Sequence, residues 1–134
     1  MIRLEIPGIQ PMPKKRPRHD GRSGRMHMPQ DYLDWKCNFA GLAGLRWREW
    51  LVANGYPAQS HVAGPIAVTL TFRTPTGNMR PDLDNAMGAV FDALQDGGVF
   101  GNDRQVRECH AAIARGPYAI TVEIAELPAQ GGAA

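Results

Sequence analysis

At 134 residues, with 43% hydrophobic and 21% charged side chains, the sequence has the makings of one globular domain, large enough for a core and small enough to gain from dimerisation. The formal net charge is +2, but residues 1–25 carry seven cations against Glu5 and Asp20, a local +5 that leaves the remaining chain at about −3. No apolar run reaches membrane-span length, Met1-Ile2-Arg3-Leu4-Glu5 is not a signal peptide, and Cys37 and Cys109 lack Cys-x-x-Cys or zinc-type spacing, which argues against membrane, disulfide-scaffold and zinc-domain classes and for a cytoplasmic protein.

Ile2 to Ile6 alternates apolar and charged residues and predicts a strand, broken by Pro7-Gly8. Residues 10–29 are basic and proline-rich, and Pro11, Pro13, Pro17 and Pro29 exclude regular helix or central strand. Lys14, Lys15, Arg16, Arg18, Arg22 and Arg25 in and beside this loop are expected to contact the phosphates of a polyanion backbone without reading sequence. A solvated charged loop is the plainer alternative. The basic end and acidic centre together suit a polyanion held against a carboxylate site.

Gln30 to Val52 predicts a long helix with more apolar surface than one face requires, part for a sheet and part for a second subunit. Gly41 and Gly44 either admit a close helix neighbour or weaken its middle. The tryptophans of this helix favour packing over stacking on exposed bases. Residues 54–60 read as loop, and Pro65 to Arg73 predicts a strand with Ile66, Val68, Leu70 and Phe72 on one face. A Pro/Gly turn over 74–79 then delivers the chain to Arg80-Pro81-Asp82-Leu83-Asp84-Asn85.

Asp82 and Asp84 fall on the same side of an extended segment. Ala86, Met87, Val90, Phe91 and Leu94 then recur at helical spacing, with Asp84 or Asn85 as N-cap and Gly97-Gly98 as stop. Asp103 is expected to return to the same place after this helix. Three carboxylates together repel and raise one another's pKa values, and a hard divalent cation, Mg²⁺ or alternatively Mn²⁺, resolves that repulsion and serves phosphate chemistry. Capping plus solvation is the bland account of the same Asp-x-Asp. Arg80 and Arg104 flank the acids and join the phosphate-contacting cations.

Val106 to Ala114 and Tyr118 to Ala125 predict two strands, joined as a hairpin through Arg115-Gly116-Pro117. The tail from 128 to 134 has nothing to bury and is expected to be disordered. His19, His27, His61 and His110 are not spaced as a ligand set. The sum is an α/β (α+β) domain over 1–127, with a small mixed sheet of about four strands and two main helices.

Asp82-Leu83-Asp84-Asn85, Phe91-Asp92-Ala93-Leu94 and Asn102-Asp103-Arg104-Gln105-Val106 resemble the signature of the RusA family of Holliday-junction resolvases. Pro13-Lys14-Lys15-Arg16-Pro17-Arg18 is similar to the proline-arginine arm of phage RusA-like proteins. The resemblance implies a homodimeric, Mg²⁺-dependent endodeoxyribonuclease that nicks four-way and other branched DNA symmetrically, in recombination and repair. By position it makes Asp82, Asp84 and Asp103 the catalytic, metal-binding aspartates, with Asp92 secondary. One departure stands out: where the family usually has a lysine, four residues after the second Asp, this chain has Gly88. Either the position has lost its lysine and drifted, with Arg80 or Arg104 partly covering the role, or something approaches the backbone closely there. The first is the expectation. A catalytically weak DNA-junction binder is the alternative function. An Asp-x-Asp nucleotide-sugar transferase is a further one, for which 134 residues leave little room.

Overall fold

The computed structural model describes residues 1–19, 21 and 24–128. Alternation decides the strands. In β1 (Ile2–Pro7) Ile2, Leu4 and Ile6 are buried while Arg3 and Glu5 face out. In β4 (Ile66–Thr74) the buried set is Ile66, Val68, Leu70, Phe72 and Thr74. β6 (Ala119–Glu126) adds Ile120, Val122 and Ile124 to the same layer, because Leu4, Val122 and Leu70 stand in register across three strands, as do Ile6, Ile120 and Phe72. β5 (Val106–Arg115) completes a mixed sheet of order β1-β6-β4-β5.

Two helices, α1 (Gln30–Ala53) and α2 (Leu83–Asp96), pack on the apolar face of this sheet and close an α+β core. The helices meet backbone to backbone. A Cβ on Gly44 would lie 3.0 Å from the Gly97 carbonyl oxygen, and one on Gly97 would lie 2.8 Å from that of Ala40. Gly44 is therefore the close-approach glycine of α1, whereas Gly41 faces open space. The tryptophans pack within the chain. Trp35 stacks on Phe39 at 5.2 Å and donates Nε1–H to Gln10 O, and Trp47 donates to Ser60 O. Trp50 lies between Trp47 and Tyr56, at 5.5 and 5.8 Å.

The expected hairpin between the last two strands does not form. β5 runs parallel to β4 along its outer edge, and β6 runs antiparallel between β4 and β1. Gly116, Pro117 and Tyr118 step the chain across the end of β4, where the Gly116 N–H donates to Thr74 O at 3.0 Å. Burial explains the choice. Residues 119–122 of β6 are all buried and need neighbours on both sides, whereas β5 is largely exposed and suits an edge.

The β4–α2–β5 crossover returns the chain to the start of β4, as parallel pairing requires. Among its described residues the basic segment between β1 and α1 is irregular, apart from a two-residue ladder of β2 (Arg18–His19) with β3 (Met26–His27). At the other end the Leu127 N–H donates to Pro65 O, while residues 129–134 of the expected tail at 128–134 lie outside the described residues. Among the described residues no helix is long and apolar enough to cross a membrane.

Candidate active site

Asp82 is the N-cap of α2, two or three residues earlier than the expected Asp84 or Asn85, because Pro81-Asp82 stays extended and helical geometry begins at Leu83. Its carbonyl accepts the Ala86 N–H at 3.0 Å, but its side chain makes no capping bond. Asp84 sits in the first turn, with one carboxylate oxygen accepting the adjoining Asn85 N–H at 2.9 Å. Both side chains are exposed. Two acids lie at the positive end of a helix dipole, where carboxylates are favoured, and their oxygens remain largely uncommitted.

The basic arm docks on this same turn. The Lys14 N–H donates to Asn85 O at 3.0 Å. Lys14 then extends along α2 to pair with Asp92 at 3.4 Å, while Lys15 pairs with Asp31 at the start of α1. Arg16 and Arg25 are exposed, Arg18 lies in β2, and Arg22 lies outside the described residues. Arg80 flanks Asp82 and lines a cleft of about 550 Å³ with Gln10, Thr74, Asn78 and Tyr118. Cations, acids and an open cleft thus converge at the N-terminus of α2.

Asp103 is elsewhere. It opens a 3-10 turn (Asp103–Gln105), and its N–H donates to Gln95 Oε1 at 3.2 Å, which places it beside the last turn of α2. From Asp84 to Gln95 the helix rises about 16 Å. The three aspartates therefore do not meet within one chain, and no group of three potential ligands close enough for a metal occurs among the described residues. The reason is the crossover: α2 starts where β4 ends, whereas Asp103 precedes β5, which starts beside the beginning of β4.

The loop around Asp103 is firmly built. Gln105 Oε1 accepts the N–H groups of Gly101 and Asn102, and its Nε2 donates to the carbonyls of Val62 and Gly64. The Asn102 side chain accepts the Arg104 N–H at 2.8 Å. Asn102 and Gln105 thus hold the loop, and leave the exposed Asp103 and Arg104 side chains facing solvent.

The family model for endodeoxyribonuclease RusA matches residues 8–125. The chain belongs to the RusA endodeoxyribonuclease family. No curated protein matches it. The RusA match runs from the Gly8 turn, through the arm and both acid segments, into the last strand. RusA membership carries with it Holliday-junction resolvase endonuclease activity on branched DNA.

One cluster escaped sequence reasoning. The buried Tyr32 of α1 donates its hydroxyl to Asp92 Oδ2 at 2.8 Å, while Lys14 holds the other oxygen. Burial, then the hydrogen bond and charge of Asp92, push the Tyr32 phenol well above its ordinary range, so it stays a donor. Nothing in the apolar periodicity of α1 separates this tyrosine from its core neighbours. Its only signal is its place among apolar residues beside the acidic Asp31 and Asp34. Lys14 also crosses Gly88, where a Cβ would lie 3.1 Å from its Cδ and 3.5 Å from its Cβ. Close approach of the Lys14 stem thus stands beside the expected drift as a reason for the glycine.

Proposed function

We propose that this protein resolves four-way DNA junctions by divalent-metal-assisted phosphodiester hydrolysis, with Mg²⁺ as the resident ion and Mn²⁺ as a substitute. The observation that carries the reading is the docking of the basic arm, through Lys14 N–H and Asn85 O, on the helix turn that presents Asp82 and Asp84. Their carboxylates suit such an ion, because Mg²⁺ takes one or two protein carboxylates and completes its shell with water and substrate phosphate. When bound, the ion lowers the pKa of a water and stabilises charge on the phosphate. The chain's own residues do the rest. The arm and Arg80 bring the DNA backbone against the acids.

Asp103 enters through a homodimer. Two protomers with their α2 helices side by side and antiparallel would set Asp82 and Asp84 of one against Asp103 of the partner subunit, at both ends of the pair. Half-buried Leu83, Met87 and Phe91 recur about one turn apart along α2, and Ile113 on the edge strand is 40% exposed, which supplies apolar surface for such contact. A two-fold pair gives the two equivalent sites that symmetric nicking of a junction needs.

The test is nicking of a synthetic four-way junction in Mg²⁺, Mn²⁺ and Ca²⁺. Paired symmetric nicks in Mg²⁺ are expected, lost in Asp82→Asn and Asp84→Asn while junction binding persists. A wild-type protein that binds junctions tightly but cuts none in any of the three ions would instead establish the binding-only alternative.

A further inference from the structure

Gly88 occupies a singular position on α2. Asp84, Gly88 and Asp92 follow one another at four-residue spacing on one helix face, so Gly88 is about 6 Å along the axis from each acid. Across that gap lies Lys14, whose backbone is pinned to Asn85 and whose Cδ passes 3.1 Å from where a Cβ at 88 would lie. Its ammonium rests on Asp92, which Tyr32 holds from the other side. The Lys14 side chain is 48% exposed and the Asp92 side chain 28%, so this is a solvent-accessible pair that a phosphate can break.

From these contacts we propose that Lys14 is the cation of the acid site on α2, delivered by the arm rather than by the helix, and that Gly88 is glycine to leave its stem a path. The Lys14 anchor is at Asn85, next to Asp84, and its four-carbon stem runs past Gly88 to Asp92, so a turn of the stem brings the ammonium back toward Asp84. In the free protein the ammonium is parked on Asp92. With DNA bound it turns toward the Asp84 end and faces the phosphate held there, adding positive charge where negative charge develops during hydrolysis. Asp92 and Tyr32 are its positioning residues. This role rests on the nuclease reading above, and concerns which side chain supplies the charge.

The experiment is a charge relocation, read by single-turnover nicking of a four-way junction at saturating enzyme. Lys14→Ala should slow nicking on the order of 10²-fold, with junction affinity falling far less. Gly88→Lys added to Lys14→Ala, where the stem no longer obstructs it, should restore most of the rate. Gly88→Lys alone should restore nothing and should cost rate, because two side chains then compete for one groove. Thermal melting supplies a readout independent of activity: Gly88→Ala should raise Tm more in the Lys14→Ala background than in wild type. Near-wild-type nicking by Lys14→Ala, a double variant no faster than the single one, or an equal Tm shift in both backgrounds would each overturn the proposal. Should the wild type cut no junction, the nuclease reading itself falls; should the wild type cut and Lys14→Ala cut equally, only the role of Lys14 falls.

Discussion

Tyr32 shows how one hydroxyl ties the two helices to the arm. It donates to Asp92, and Asp92 in turn holds Lys14. Burial first, and Asp92 second, raise the phenol pKa above its ordinary value of about 10. The folded chain therefore keeps a proton that the unfolded chain releases near that pH. A raised folded pKa means that the stabilisation is complete below about pH 10 and is lost as pH climbs beyond it. Denaturant unfolding from about pH 8 to 11 should show wild-type stability declining at the alkaline end. Tyr32→Phe should be weaker by about 1–2 kcal/mol near neutrality and decline less steeply. Parallel profiles for the two proteins would remove Tyr32 from this linkage.

At the scale of elements, the arm and α2 form one working unit. The surface pair of Lys15 with Asp31 contributes little in water, so exchanging it for a DNA phosphate costs little. Neutralising Lys15, Arg16 and Arg18 should weaken binding to every DNA form alike, and lower the slope of log affinity against log salt by roughly 0.9 per lost duplex contact. An unchanged slope would show that the arm does not face DNA. Much of this unit is legible in the sequence. The alternation of Ile66 to Phe72 locates β4, the spacing of Ala86 to Leu94 locates α2, and the prolines of 10–29 mark the arm. What pattern does not carry is which strand lies beside which. The step of Gly116 to Tyr118 across β4 is decided by how much of β6 needs burying, so a local turn signal there reads as a hairpin. Asp103 was misplaced for the same reason, since its position follows from a parallel crossover.

The whole molecule raises a question of stoichiometry, because one chain holds its acids at opposite ends of α2. Mixing Asp84→Asn protomers with Asp103→Asn protomers distinguishes the arrangements. If sites are shared, each mixed dimer has one doubly damaged site and one intact site, and single-strand nicking should reappear although neither parent cuts. If each chain builds its own site, both sites of the mixed dimer stay damaged and nothing returns. The recovered activity should be nicks without paired resolution, since only one site of each mixed dimer works. The hydrogen-bonded frame of Gln105 makes Asp103→Asn a clean change, as the aspartate side chain is not part of the clamp.

The crossing of Lys14 over Gly88 also bears on how such a sequence can change by descent. A lysine at 88 would crowd the Lys14 stem, which must give way to it, and, if Lys14 plays the proposed role, its loss would remove the charge from beside the acids. On that proposal the two positions form a pair in which the first substitution is harmful and the second compensates. Relatives of this fold should therefore fall into two kinds, one with a glycine on the helix and a lysine on the arm, the other with a lysine on the helix and a short residue on the arm. Intermediates with both lysines, or with neither, should be scarce.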